Sequence, residues 1–156
     1  MSSAIVFSVT DATRQQLWID STQQALIGRG LRNGSARRAV VELLGHQNCC
    51  LTAIEIYDHL RASGRPVGIA SVYRILELLT SERFVSRIDV GAGVSRYEPV
   101  WARGDHHHHL VCDRCGKVEP FDDRRLELAL NRVEANSGYT VAGHEVVLHG
   151  ACASCS

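Results

Sequence analysis

The chain carries the sequence HHHHLVCDRC at residues 106–115, and this stretch decides how the second half of the molecule is organised. A second C-x-x-C motif closes the sequence at its C-terminal end. Thiolate sulfur and imidazole nitrogen are the ligands that zinc and similar divalent metals prefer. Four thiolates fill a tetrahedral structural zinc site and leave no open position for chemistry. We therefore predict that one structural zinc ion is bound by Cys112, Cys115, Cys152 and Cys155.

The two cysteine pairs are separated by residues 116–151, which is longer than the spacing of a short zinc ribbon. The site would therefore join elements that are distant in the sequence. An alternative is that the pairs are redox couples or disulfides. Redox C-x-x-C motifs normally occur singly beside a βαβ pattern, so we favour the metal site.

The four consecutive histidines require a separate explanation, because a site made of four cysteines is already full. In an extended segment successive side chains point to opposite faces. His106 and His108 would then face one way, and His107 and His109 the other. One run of histidines can thus serve two metal sites. The alternative is a solvated histidine tract or a purification tag, although a tag belongs at a terminus.

The composition is that of a globular protein, with 156 residues of which 45% are hydrophobic. This length suits one ordinary domain or two small ones, and the composition excludes a disordered chain. We find no signal-peptide pattern near the N-terminus and no apolar run of membrane-spanning length. We therefore expect a soluble cytoplasmic protein with no membrane partner, whose thiols stay reduced and available to metal.

The charges are unevenly distributed although the formal net charge is zero. Residues 29–74 contain seven arginines against three acidic residues, whereas residues 86–156 contain eight basic and ten acidic residues. This division suggests that anion binding and metal binding belong to two different units. Ordinary solvated faces are the alternative interpretation.

The first half contains several predicted helices. An amphipathic segment over residues 13–27 ends at a glycine, and a second helix starts at Ser35 as N-cap and ends at Gly45. A capping box between Thr52 and Glu55 begins a third helix. A fourth segment, residues 69–79, has a buried apolar stripe formed by Val72, Ile75, Leu76 and Leu79.

A β-hairpin is predicted next, with strands over residues 85–90 and 94–98 joined at Gly91-Ala92-Gly93. Three short helices followed by a hairpin are typical of a winged helix-turn-helix, in which the last helix enters the DNA major groove. Ser71, Tyr73 and Arg74 lie outward near the start of that helix and are candidate DNA contacts. For the last two, a surface aromatic and a solvated charge are the alternative.

We expect a domain boundary in the irregular stretch that follows the hairpin. The predicted organisation is an α+β chain with a winged-helix DNA-binding domain over residues 1–98, a hinge over 99–105, and a dimerisation and metal-binding domain over 106–156. Within the last domain we predict strands at 107–112 and 117–121, a helix at 123–136, and a strand or strand pair at 139–148. Its core is too small to be stable without zinc or a partner chain.

Several motifs together resemble the ferric uptake regulator (Fur) family of metal-dependent bacterial transcription factors. The resemblance extends over about residues 25–155 in the family's order, and it implies a homodimeric DNA-binding regulator rather than an enzyme. The matching motifs are Gly30-Leu31-Arg32, Ala53-Ile54-Glu55-Ile56-Tyr57, Ser71-Val72-Tyr73-Arg74, the histidine run with Leu110-Val111-Cys112-Asp113-Arg114-Cys115-Gly116-Lys117-Val118, and Gly150-Ala151-Cys152.

The resemblance also implies ligand sets. It places the structural zinc on the four cysteines and implies a second metal site made of His106, His108, Glu127 and His144. A sensing site would combine His107 and His109 with ligands from the DNA-binding domain.

For those N-terminal ligands, Glu98 matches the acidic ligand of iron-type members, whereas Cys50 occupies the place where many of them have a histidine. A thiolate favours zinc, while Glu98 suits iron or manganese as well. The alternative for Cys50 is a buried apolar thiol next to Cys49.

The function implied by the resemblance is a repressor that binds a palindromic double-stranded operator when loaded with metal, and that controls metal-uptake genes. Tyr73 would pack on a thymine methyl group, Arg74 would contact phosphate or guanine, and Arg32 would reach the backbone or the minor groove. We favour zinc as the regulatory metal, as in the zinc-responsive (Zur-like) branch.

Four other functions stay open. They are an iron- or manganese-responsive regulator, a peroxide sensor of the same fold that oxidises a ligand histidine, a zinc-storage protein or chaperone, and a metal-dependent hydrolase. A zinc-storage protein or chaperone would have no use for a winged helix. The hydrolase would need a general base, and none lies at a recognisable offset from the histidines. No small-molecule substrate is expected.

Overall fold

The computed structural model describes residues 11–32, 34–47, 49–101 and 107–156. The chain divides into two compact units, Met1–Ala102 and Arg103–Ser156. In the first unit the elements are α1 (Asp11–Gly28), α2 (Ser35–Gly45), β1 (Leu51–Thr52), α3 (Ala53–Ala62), α4 (Ile69–Ser81), β2 (Val85–Asp89) and β3 (Ser95–Pro99). In the second unit they are β4 (His108–Cys112), β5 (Val118–Phe121), α5 (Arg124–Ser137) and β6 (Val147–Gly150).

The helix starts agree with the sequence at α3 and disagree at α2. The predicted capping box of α3 is confirmed: Glu55 N–H donates to Thr52 Oγ1 at 3.1 Å, and Thr52 N–H donates to Glu55 Oε2 at 2.7 Å. The prediction that Ser35 caps α2 is wrong. Gly34 takes the extended backbone of the cap position, where it offers no side chain for a capping hydrogen bond, and Ser35 is the first residue of the helix.

The core of the first unit confirms the predicted apolar stripe of α4. Val72, Ile75, Leu76 and Leu79 are all buried, and they pack in one cluster with residues of α1, α2 and α3. Burial of one such side chain contributes about 1.5–3 kcal/mol to folding. The stripe therefore fixes which face of α4 points outward, and Tyr73 lies on that face with 49% of its surface exposed.

The hairpin that follows α4 is confirmed, and a short additional strand joins it. Strands β2 and β3 pair antiparallel, and Gly91, Ala92 and Gly93 all have positive φ, between 52° and 85°. This left-handed backbone favours glycine, which two of the three positions supply. The unpredicted strand β1 pairs antiparallel with β3 on its other side, giving the order β1-β3-β2.

The second unit is built around β4, which pairs antiparallel with β5 and parallel with β6. The prediction of a strand over residues 139–148 is wrong for most of its length, because β6 begins only at Val147. The preceding residues are irregular, and Val141 N–H donates to Glu134 of α5 at 3.1 Å instead of entering the sheet.

Helix α5 leaves its apolar residues largely uncovered in the single chain. No residue of α5 is buried, and Leu128 and Val133 are 56% and 64% exposed. The helix begins at the N-cap Asp123, whose carboxylate accepts from the N–H groups of Arg125 and Leu126. Among the described residues, no helix is long and apolar enough to cross a membrane.

Candidate metal centres and nucleic-acid interface

The four predicted zinc ligands come together in the second unit. Cys112 ends β4, Cys115 follows in a tight turn, and Cys152 and Cys155 lie in a second turn after β6. Their sulfur atoms all lie within 4.8 Å of one another. Cys115 Sγ and Cys152 Sγ are 3.7 Å apart, close to the sulfur–sulfur distance of about 3.8 Å around a tetrahedral zinc ion. The donor set therefore fits zinc.

The backbone around these cysteines prepares one of them to be a thiolate. Hydrogen bonds from the N–H groups of Cys152 and Cys115 lower the pKa of Cys112 to about 6. Hydrogen bonds with the thiols of Cys152 and Cys115 raise the pKa of Cys155 to about 12. A bound metal ion would take the place of the protons that these thiols share. The cluster is thus arranged for a cation and leaves no ligand position open for a substrate.

A second cluster contains His108, Glu127 and His144. His108 Nε2 lies 2.7 Å from Glu127 Oε1, and His144 Nε2 lies 3.1 Å from Glu127 Oε2. Strand β4 supplies the first residue, α5 the second, and the irregular segment before β6 the third. Two imidazoles and a carboxylate are suitable ligands for a divalent metal. The fourth predicted member, His106, lies outside the described residues.

The predicted alternation of the histidine run is confirmed over its described part. His108 points towards Glu127, whereas the rings of His107 and His109 lie together with their centroids 4.9 Å apart. The two neighbouring imidazoles therefore form a separate face of the second unit.

The two predicted sensing residues of the first unit are also close together. Cys50 directly precedes β1, and Glu98 follows Tyr97 on β3. Since Leu51 pairs antiparallel with Tyr97, Cys50 and Glu98 are the next residues beyond that pair, one on each of the two neighbouring segments. The hydrogen bond with Cys49, burial, and the charges of Cys49 and Glu98 raise the pKa of Cys50 well above its usual value. The first unit thus offers a sulfur and a carboxylate at one end of its sheet.

Three polar contacts in these regions were not predicted. Arg96 Nη1 donates to the carbonyl oxygen of Cys50 at 3.2 Å and to Glu55 Oε2 at 3.1 Å. In the second unit, His149 Nδ1 lies 2.9 Å from Asp113 Oδ1, between β6 and the turn that holds Cys115. All of these contacts join residues more than 30 positions apart, so no local sequence pattern predicts them.

The candidate DNA-binding residues lie on the outer face of α4 and near the start of α2. Arg74 Nη2 donates to Ser71 Oγ at 2.8 Å, so the guanidinium is held over the first turn of α4. Arg32 is exposed in the α1–α2 connection, where its carbonyl oxygen accepts from Arg37. An open groove of about 750 Å³ is lined by residues of α4, the hairpin and the start of α3, with Tyr73 and Arg87 among them.

Comparison with known proteins gives a consistent result. The model of the ferric uptake regulator family matches residues 28–149. The ferric uptake regulation protein of Bacillus subtilis (strain 168) is 34% identical over 140 residues, which cover 88% of this chain and 94% of that protein.

Two solved structures are similar over most of the chain. The Helicobacter pylori ferric uptake regulator, whose structure reveals three functional metal-binding sites, has a TM-score of 0.78 at 28% identity and covers 90% of this chain and 93% of its own. The Vibrio cholerae regulator, whose structure reveals a rearrangement of its DNA-binding domains, has a TM-score of 0.75 at 32% identity, with 84% and 99% covered.

Proposed function

Because the chain belongs to the ferric uptake regulator family, and is therefore a metal-responsive regulator and not an enzyme, we propose that it represses metal-uptake genes with zinc as co-repressor. Residues 1–98 would form the DNA-binding domain, 99–105 the hinge, and 106–156 the dimerisation and metal-binding domain. The observation that carries the proposal is the adjacency of Cys50 and Glu98 within the unit that presents the DNA-binding helix.

The proposed sensing site joins Cys50 and Glu98 to His107 and His109. A metal ion that takes ligands from both units binds one arrangement of the units more tightly than the others, so it raises the population of that arrangement. Coupling of this kind typically changes affinity for the second ligand about 5- to 150-fold. We expect metal to change operator affinity within that range.

The proposed DNA complex contains a homodimer on a palindromic double-stranded operator. The exposed apolar residues of α5, with Leu128 and Val133 largely open to solvent, support a second copy as the partner of that helix. Twofold symmetry would place two α4 helices in successive major grooves. Tyr73, Arg74 and Ser71 would contact bases and phosphates there, and Arg32 would reach the backbone.

The other two metal sites would have structural roles in this proposal. Zinc at Cys112, Cys115, Cys152 and Cys155 would hold the C-terminal turns onto β4. A metal held by His108, Glu127 and His144, together with His106, would hold α5 against β4. Neither set needs ligands from the DNA-binding unit, so neither would signal directly.

Zinc is favoured as the regulatory metal because Cys50 supplies a thiolate. Manganese and ferrous iron prefer oxygen and nitrogen ligands, so Glu98 supports a second candidate, an iron- or manganese-responsive regulator. The test is elemental analysis combined with operator binding in zinc, ferrous iron, manganese and nickel. Zinc should give tight operator binding at the lowest free concentration. Binding that responds only to iron or manganese would reject zinc, and binding that responds to none of them would reject the proposed function.

A further inference from the structure

Cys49 and Cys50 form a pair of adjacent thiols in the DNA-binding unit, and their separation is informative. Their sulfur atoms are 3.8 Å apart. Two sulfurs on one tetrahedral zinc ion, each at about 2.3 Å from the metal, are separated by about 3.8 Å. The comparable distance within the four-cysteine cluster is 3.7 Å, between Cys115 and Cys152. The adjacent thiols therefore already have the spacing of two ligands on a single ion.

The backbone that carries this pair is held in place by neighbouring elements. The carbonyl oxygen of Cys50 accepts from Arg96, and the next residue, Leu51, is paired with Tyr97 of β3. Arg96 is itself held by the carboxylate of Glu55, which belongs to the capping box of α3. A ligand pair whose backbone is already fixed loses less conformational freedom when it binds a metal ion.

The two thiols also differ in exposure in a way that suits metal entry. Cys50 is buried, with 3% of its surface exposed, whereas Cys49 is half-buried. The outer thiol can meet an ion from solvent, and the inner one can complete the chelate. No disulfide involves either residue in this structure.

We infer that Cys49 and Cys50 together form a dithiolate edge that binds a thiophilic divalent ion, zinc or cadmium, and that Cys49 is thereby a selectivity-determining ligand of the regulatory site. The inference rests on the proposed function, because it names the class of metal that the sensing site takes. On binding, each thiol releases its proton to solvent, and the two sulfurs donate their electron pairs to the ion.

The second sulfur changes the metal preference of the site. One thiolate together with Glu98 gives a mixed sulfur and oxygen contribution, which ferrous iron and manganese can also use. Two thiolates favour zinc and cadmium and disfavour manganese, which prefers carboxylate, carbonyl and water ligands. Cys49 is therefore expected to affect zinc and cadmium affinity strongly and manganese affinity little.

The first test compares full-length Cys49→Ser with the wild type and with Gln47→Ser, a control substitution in the same connection that removes no thiol. Zinc and cadmium affinities are measured by competition with a chelator, and manganese affinity is measured separately. We expect Cys49→Ser to lose zinc and cadmium affinity by at least about tenfold. Removing a residue that only contacts a metal ligand already costs about tenfold or more, and removing a ligand itself should cost no less. Its manganese affinity and the zinc content of the four-cysteine site should be unchanged, and the control should match the wild type. Unchanged zinc and cadmium affinity in Cys49→Ser would overturn the inference.

The second test needs no variant and applies if Cys49→Ser does not fold. Wild-type protein that retains its zinc in the four-cysteine site is loaded with cadmium, and X-ray absorption at the cadmium edge counts the sulfurs around that ion. Two sulfurs support the dithiolate edge, and one or none overturns it. Zinc-dependent operator binding is measured on the same sample. If zinc has no effect on operator binding, the proposed function fails; if the effect is present and cadmium has a single sulfur ligand, only the present inference fails.

Discussion

Arg96 and Glu55 form an ion pair, with Arg96 Nη1 3.1 Å from Glu55 Oε2, that links strand β3 to the start of helix α3. The same nitrogen of Arg96 reaches the carbonyl oxygen of Cys50, and the same oxygen of Glu55 accepts from Thr52. The candidate metal ligand Cys50, the sheet and the capping box thus belong to one hydrogen-bonded network. The network therefore connects the backbone at Cys50 to α3, which packs in the same core as α4.

Replacing Arg96 by Gln should destabilise the first unit by about 1 kcal/mol, because the Glu55 carboxylate and the Cys50 carbonyl lose a charged donor. The partial exposure of Glu55 to solvent limits the loss. Urea unfolding gives the free energy of unfolding. Arg65→Gln is the control, since Arg65 pairs with Glu42 at the surface of the same unit and should cost less than about 0.5 kcal/mol. Equal losses in both variants would contradict the special role of Arg96.

Arg74→Ala should weaken operator binding by about 1–3 kcal/mol without changing metal content, because a guanidinium held on the outer face of α4 loses its contact with DNA. If the contact is to phosphate, the slope of the logarithm of the binding constant against the logarithm of the salt concentration should become less steep by about one unit. Mobility shifts at several salt concentrations give both values. Arg61→Ala, at an exposed position on α3, is the matched control. Wild-type affinity of Arg74→Ala would remove this residue from the interface.

Replacing Cys112 and Cys155 by Ser should abolish tightly bound zinc and the dimer, because small zinc domains derive on the order of 10 kcal/mol of folding free energy from the metal. Elemental analysis and sedimentation measure zinc and oligomeric state. Cys49→Ser should keep its structural zinc and remain dimeric, since it leaves all four ligands in place. A stable dimer without zinc would refute the structural role of the cluster.

Replacing both His107 and His109 by Ala should remove metal-dependent operator binding and leave the structural zinc in place, because neither histidine belongs to the four-cysteine cluster or to the cluster around Glu127. Metal titrations monitored by DNA binding test this expectation. His59→Ala, at an exposed position on α3, controls for the loss of an imidazole. Metal-dependent binding that persists in the double variant would rule out the sensing role of this face.

Exposure of the zinc-loaded protein to hydrogen peroxide should leave His107 and His109 unmodified, because zinc has no redox chemistry. Mass spectrometry of peptides from treated protein detects the addition of a single oxygen atom. The same measurement on protein reconstituted with ferrous iron is the comparison. A gain of oxygen on either histidine in the iron-loaded protein, coupled to loss of operator binding, would favour the peroxide-sensing alternative.

The sequence predicts best those features that depend on neighbouring residues. The capping box at Thr52, the stripe on α4 and the glycine turn of the hairpin are local patterns, and each is confirmed. Strand β1 is only two residues long and exists because β3 pairs with it, so periodicity does not reveal it. The sequence also predicts a strand over residues 139–146, but Val141 bonds to Glu134 of α5 instead of to a strand, a contact that depends on a distant part of the chain.

The candidate site likewise contains some features that follow from the local sequence and others that depend on the folded chain. The four cysteines and the alternation of the histidines follow from spacing alone, and the structure brings those cysteines together. The adjacency of Cys50 and Glu98 depends on the register between β1 and β3, which only the folded chain supplies. The adjacent Cys49 was visible in the sequence as a second cysteine, but the sequence does not give the distance between the two sulfurs.

The register of β4 has a consequence for how this histidine tract can change in evolution. Leu110 and Val111 pair with the strands on both sides and Cys112 pairs with β6, which fixes the register of β4, whereas the histidines before them are chemically identical. Adding or deleting one histidine in this run would still leave an imidazole at positions 107, 108 and 109, although a deletion would bring Asp105 to position 106, where the proposed second site has a histidine. The repeat therefore preserves the histidines on both described faces of this ligand strand against a shift of one residue, whereas the same shift in a strand of mixed ligands would exchange its two faces.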